Sequence, residues 1–189
     1  MNWIWKSALV AGLGVLVYGV LTPDLGIGPD AAPKAQAKND AFQLVTAIKA
    51  FYTEYGRLPE AKGECVPADA ALMAILRGKD QQQNPRKIVF LEVPDARKTD
   101  GRWRSGLHLE TGAWVDPFGS PYLVKLDIDY DNFIPNPYSD SFAGPQKISE
   151  SVIVWCSGKD GIFGNAQRRA ELQGSDDIVS WDITTHNPR

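Results

Sequence analysis

Between residues 34 and 55 the apolar side chains return every three or four positions: Ala37, Ala41, Leu44, Val45, Ile48, Phe51, Tyr52 and Tyr55. Lys38, Asp40, Gln43, Lys49 and Glu54 fill the other positions. That period winds the apolar residues into one stripe of an α-helix, and such a stripe has to be buried against a second layer. Gly56 supplies the stop, because glycine readily takes the left-handed conformation that closes a helix. The aromatics in the stripe read as core rather than as a ligand-binding box.

The other apolar runs are short and of β type. Strands are expected near 87–93, 122–128 and 151–156, with an edge element near 178–182. A second short helix is expected over 68–77, ended by Gly78. Turn chemistry separates these runs: Asp116-Pro117 with Gly119 and Pro121, the polar connector at 81–85, and the loop from Pro135 to Gly144. Residues 94–106 form a charged surface loop. Its Arg97, Lys98, Arg102 and Arg104 either meet acidic head groups or a partner, or stay solvated. The layer these elements suggest is α+β, with the long helix packed on a small antiparallel sheet.

The first 21 residues add an apolar segment. Trp3, Ile4, Trp5 and Lys6 precede a run from Ala8 to Leu21 with no further charge before Asp24. A membrane span needs ~20 apolar residues, a length reached if Trp3 to Trp5 are included and Lys6 snorkels. Trp3 and Trp5 suit the interface, and Lys6 before the run favours an inside N-terminus. The expectation is an uncleaved single-pass anchor over 1–21. The rival is a cleaved signal peptide, but its nearest small-x-small site, Ala35-Gln36-Ala37, lies well past the run. Three prolines and two glycines in 22–33 read as a hinge, leaving 34–189 as the globular domain.

A chain of 189 residues is long enough for one domain with a real core. The net charge of −3 gives a nucleic-acid partner no electrostatic support. His108 and His186 have no cysteine or histidine at zinc-ligand spacing. Cys65 and Cys156 fit neither a redox nor a metal motif. They are open to two readings, a disulfide in an exported domain or two buried thiols. No nucleophile, phosphate-loop or carboxylate-pair spacing points to catalysis, so the chain is not read as an enzyme.

The run Ser151 to Cys156 feeds a glycine-rich loop with Asp160 at its start and Asp176 and Asp177 at its end. Carboxylates with glycines between them can wrap a hard cation such as Ca²⁺, which takes six to eight oxygens. Gly158, Gly161 and Gly164 would permit backbone that turns carbonyls inward. A solvated loop with scattered acids is the plain alternative. Asp127, Asp129 and Asp131 resemble the opening of an EF-hand loop, but Asn132 replaces the required glycine and Tyr138 the closing glutamate.

Taken in order, several motifs resemble the globular domain of type II secretion pseudopilins, especially the major, G-type subunit. They are Asp116-Pro117-Phe118-Gly119-Ser120-Pro121-Tyr122, the strand that follows, Ser157-Gly158-Lys159-Asp160-Gly161, and Asp176-Asp177-Ile178-Val179-Ser180-Trp181. The family pattern runs D-P-W-G-x-P-Y, a strand, S-x-G-x-D-G and D-x-D-I-x-S-W, with Phe118 here in the tryptophan position. Tyr52-x-x-x-Gly56-x-Leu58-Pro59 resembles the family's helix end.

The resemblance implies a pilin-like α+β fold on a transmembrane segment, held in the inner membrane with its C-terminal domain in the periplasm. It implies a structural subunit for protein transport, partnered by other pseudopilin-like subunits and the secretion inner-membrane platform, and so a homo-oligomer. It further implies a structural calcium ion on Asp160, Asp176 and Asp177, with carbonyls near Lys159 and Ile162 and with Ser157 nearby.

Two departures stand out. The family's Gly-Phe-Thr-Leu-Ile-Glu processing motif is missing, with no glutamate before Glu54. That favours an alternative, an anchored extracytoplasmic binding module that does not polymerise. The link from Asn165 to Gly174 is also longer than the family's, and its Arg168 and Arg169 are alternative partners for the acids.

Overall fold

The structure is a computed structural model that describes residues 28–60, 63, 65–165, 167 and 170–181. Helix α1 (Ala31–Tyr55) opens with Pro33 in its first turn, where a missing N–H costs nothing. It therefore includes the last residues of the expected 22–33 hinge. Its buried stripe is Ala37, Asp40, Ala41, Leu44, Ala47, Ile48 and Phe51. Gly56 closes it with φ 66° and an N–H···O bond of 2.8 Å to Tyr52.

The chain then runs through β1 (Cys65–Pro67), α2 (Ala70–Leu76), β2 (Arg97–Thr99), β3 (Arg102–Arg104), β4 (Gly106–Leu107) and β5 (Trp114–Val115). It continues through β6 (Leu123–Leu126), β7 (Ile134–Pro135), β8 (Lys147–Ile148), β9 (Val152–Cys156) and β10 (Ile178–Val179). The main sheet has the order β1-β6-β9-β10, antiparallel throughout. The pairs β2–β3, β4–β5 and β7–β8 are separate two-stranded ribbons.

Strand β9 is buried at all five residues, and its alternation explains why. Val152, Val154 and Cys156 face a core built with the α1 stripe, Val66, Val124, Leu126 and the apolar side of α2. Ile153 and Trp155 face the opposite way, into a second core with Ile134, Tyr138, Ala143, Ile148, Leu172, Val179 and Trp181. A strand covered on both faces reads as a continuous apolar run. Each large side chain so buried contributes about 1.5–3 kcal/mol.

Several expectations are corrected. The α+β pilin-like layer gives way to a mainly sheet architecture of short strands in several small antiparallel sheets, with two helices among the described residues. Prolines, glycines and Asx turns stop the strands early, and the loops between them pair into their own ribbons.

Residues 87–93 form no strand. Lys87 is left-handed, with φ 54°, and the N–H groups of Phe90 and Leu91 both go to the Leu76 carbonyl at the end of α2. Asn84 holds this arrangement. It is fully buried, donates to the carbonyls of Ile75 (2.8 Å) and Ile88 (2.7 Å), and accepts from the Tyr55 hydroxyl (2.6 Å) and Ile88 N–H (3.0 Å). The partner of β6 in the sheet is β1 instead.

The single-pass inner-membrane placement is corrected too. Among the described residues no helix is long and apolar enough to cross a membrane. The longest, α1, carries Lys34, Lys38, Asp40, Lys49 and Glu54, too many charges for a span. Residues 1–21, where the anchor is expected, lie outside the described residues.

Candidate cation loop

Ser157, nearly fully buried, carries the chain out of β9, and Gly158 turns it with φ 62°. A Cβ at Gly158 would stand 2.3 Å from the Asp176 carbonyl oxygen and 2.7 Å from its Oδ1. Only glycine lets the returning strand press so closely on the turn.

Asp176 Oδ2 accepts the N–H groups of Lys159 (2.6 Å) and Asp160 (3.3 Å). Asp177 Oδ2 accepts the Tyr138 hydroxyl (2.5 Å) and Gly164 N–H (2.6 Å). The other oxygen of each carboxylate, Asp176 Oδ1 and Asp177 Oδ1, is buried with no hydrogen-bond partner. Burial pushes the Asp177 carboxyl up to about 6, the nearby Asp176 and Asp160 carboxylates adding to the rise against the bonds from Tyr138 and Gly164.

The loop sets Asp176 beside Asp177 but does not gather the three expected acids, Asp160, Asp176 and Asp177, into one group of ligand atoms within 4.8 Å of one another. Asp160 is exposed, and its Oδ1 accepts the Ile162 N–H at 2.8 Å in a local turn that fixes Ile162 beside it. Asp176 and Asp177 are the pair with oxygens to spare. Arg168 and Arg169, the alternative partners, lie outside the described residues. Among the described residues the link is tied by Asp140, whose two oxygens accept the N–H groups of Leu172 (3.0 Å) and Gln173 (2.8 Å).

Among the described residues, the acids whose ligand atoms gather within 4.8 Å of one another are Asp127, Asp129 and Asp131. Asn132 takes φ 65°, so it accepts the left-handed turn for which an EF-hand uses glycine. Tyr138, in the closing position, is buried and bonded to Asp177. The group lacks a bidentate closing ligand, and nothing in it is specific to calcium.

Asp116 is wholly buried. Its Oδ1 accepts three N–H groups, from Phe118 (2.8 Å), Gly119 (2.7 Å) and Ser120 (2.9 Å), which builds the Asp-Pro-Phe-Gly turn. Burial raises its carboxyl, and burial beside Asp116 raises the Cys156 thiol. Cys156 and Cys65 are both free. Cys65 pairs with Lys125, which stands opposite Ile153, so it projects to the face that Ile153 uses, whereas Cys156 projects to the α1 face. Of the expectation of two buried thiols, Cys156 is buried and Cys65 is exposed, and the two are not bonded.

Sequence reading misses Tyr138, Asp140 and Asn84. Each meets partners far away in the chain or in an irregular turn, where no period exists to reveal it. Comparison of the chain with protein-family models, with curated proteins and with solved structures finds no match in any of the three.

Proposed function

We propose that this chain is a structural subunit of the pseudopilin type, serving a type II secretion or type IV pilus-related system by packing and assembly rather than by chemistry. The ordered motifs from Asp116 to Trp181 suggest the kinship. The observation that carries it is the pair of buried, unpartnered oxygens on Asp176 and Asp177 in the loop where such subunits hold calcium.

In this reading the spare carboxylate oxygens are the donors for a hard cation. Asp176 and Asp177 would hold it, with Asp160 and the carbonyls near Lys159 and Ile162 as the further ligands. The ion would supply charge neutralisation, relieving the repulsion between adjacent carboxylates and tying the loop to the sheet edge. The partners are copies of the same subunit and the secretion platform. The missing processing motif favours a second reading, a binding module that does not polymerise.

One experiment separates the two. The full chain is co-expressed with a type II secretion platform in calcium-containing medium, followed by pull-down and negative-stain microscopy. Filaments or platform co-purification are expected. A monomer that brings down no platform component overturns the subunit reading.

A further inference from the structure

The β2–β3 ribbon lies outside the loop just described. Asp100 (φ 50°) and Gly101 (φ 77°) are both left-handed, which matches a type I′ turn and pins the register: Arg97 opposite Arg104, Lys98 opposite Trp103, Thr99 opposite Arg102. Cross-strand pairs share a face and successive residues alternate. Arg97, Thr99, Arg102 and Arg104 therefore stand on one face, and Lys98 and Trp103 on the other. On that other face the Lys98 ammonium lies 5.4 Å from the centre of the Trp103 ring, and Trp103 packs on His108.

Like charges directly opposite each other destabilise a ladder. No carboxylate relieves them: the ion pairs among the described residues join Lys49 to Glu150, Arg57 to Glu60 and Arg86 to Glu54. Arg104 Nε is buried with no acceptor. The stems of Arg102 and Arg104 lie beside the same turn. A Cβ at Gly119, in the turn built by Asp116, would stand 3.9 Å from both Arg102 Cβ and Arg104 Cγ. Arg97 and Arg102 remain exposed.

We propose that this arginine face of the β2–β3 ribbon is a binding site for a phosphate group. A tetrahedral oxyanion offers several acceptors to the guanidinium forks that share one face, and its charge offsets the Arg97–Arg104 repulsion. The Thr99 hydroxyl adds a donor on the same side. A single carboxylate satisfies at most two forks. The group is recognised as free phosphate or as a terminal monoester.

Calorimetric titration of the full chain with inorganic phosphate, and separately with glycerol phosphate, at ionic strength held constant with chloride, tests this. Saturable binding of one equivalent is expected. Equal affinities mark the phosphate group alone as the ligand, and tighter glycerol phosphate marks the ester. Arg97→Gln and Arg102→Gln, both at exposed positions, weaken Kd by about tenfold or more. Lys98→Gln removes the same charge from the opposite face and leaves Kd unchanged. The absence of saturable heat with either titrant overturns the site, as does a Lys98→Gln loss equal to that of Arg102→Gln.

Discussion

Asn84 and the Asp176–Asp177 pair are both polar groups taken into the fold, and they are satisfied in opposite ways. Asn84 uses both donors and its acceptor oxygen on the Ile75 and Ile88 carbonyls, the Ile88 N–H and the Tyr55 hydroxyl. The two aspartates each use one oxygen and leave the other buried and unpaired. A neutral amide can be completed by backbone and one hydroxyl. Two adjacent carboxylates take their donors on one oxygen each and repel one another. The first cluster is finished by the chain itself, whereas the second is, on the proposed reading, finished by a cation.

The largest effect that would test this contrast is at Asn84. Asn84→Ala takes their partner from the Ile88 carbonyl and N–H and from the Tyr55 hydroxyl, while the Ile75 carbonyl keeps the Gly78 N–H, and it costs about 3 kcal/mol. Urea unfolding measures it, and the loss is the same in calcium and in chelator. A loss that calcium reverses would show that the two regions are not independent.

The second effect is calcium itself. Binding to the folded state alone raises stability by about 2.7 kcal/mol at a hundredfold excess over Kd. Asp177→Asn removes that gain, and in chelator the variant is at least as stable as wild type, because one desolvated charge is gone. Thermal melting of both proteins in both buffers checks the crossing. Identical wild-type melts in calcium and chelator remove the cation from the loop.

The smallest effect is on pH. Asp177 is held at about 6 in the folded chain against an ordinary 3.8, so the folded state binds more protons between those values. Without calcium, its contribution to stability is therefore present at low pH and lost as pH rises from 3.8 through about 6. Partial exposure screens the size of the effect. The difference between wild type and Asp177→Asn isolates it, and saturating calcium flattens the profile. A difference independent of pH in chelator would show that the carboxyl is not desolvated.

How much of this was legible follows the kind of regularity each region has. The α1 stripe repeats every three or four residues, and Ala37, Ala41, Leu44, Ile48 and Phe51 are buried as that period requires. The β9 run was legible as an unbroken apolar stretch, although the sheet's second core was not. That core depends on Trp155 and Trp181 facing away from the helix, which only the register reveals.

The run at 87–93 has strand composition, yet its backbone partners lie at the end of α2, fixed by an asparagine inside what reads as a polar connector. In the acidic loop the residue types were legible and their division of labour was not. Tyr138 and Asp140 reach it through contacts that no local spacing encodes.

The order β1-β6-β9-β10 also governs how the chain can reach this state. Cys65 pairs with Lys125, Val124 with Val154, and Trp155 with Val179, so no ladder of the main sheet closes across a tight turn. Every one requires a long loop to close before any pairing rewards it, which makes folding slow for a chain of this size. During synthesis α1, β1 and α2 emerge well before β9, the strand on which both cores are built. Until β9 arrives, the apolar stripe of α1 has at most the β1–β6 pair to cover it, and that interval is when the nascent chain is most open to misassociation.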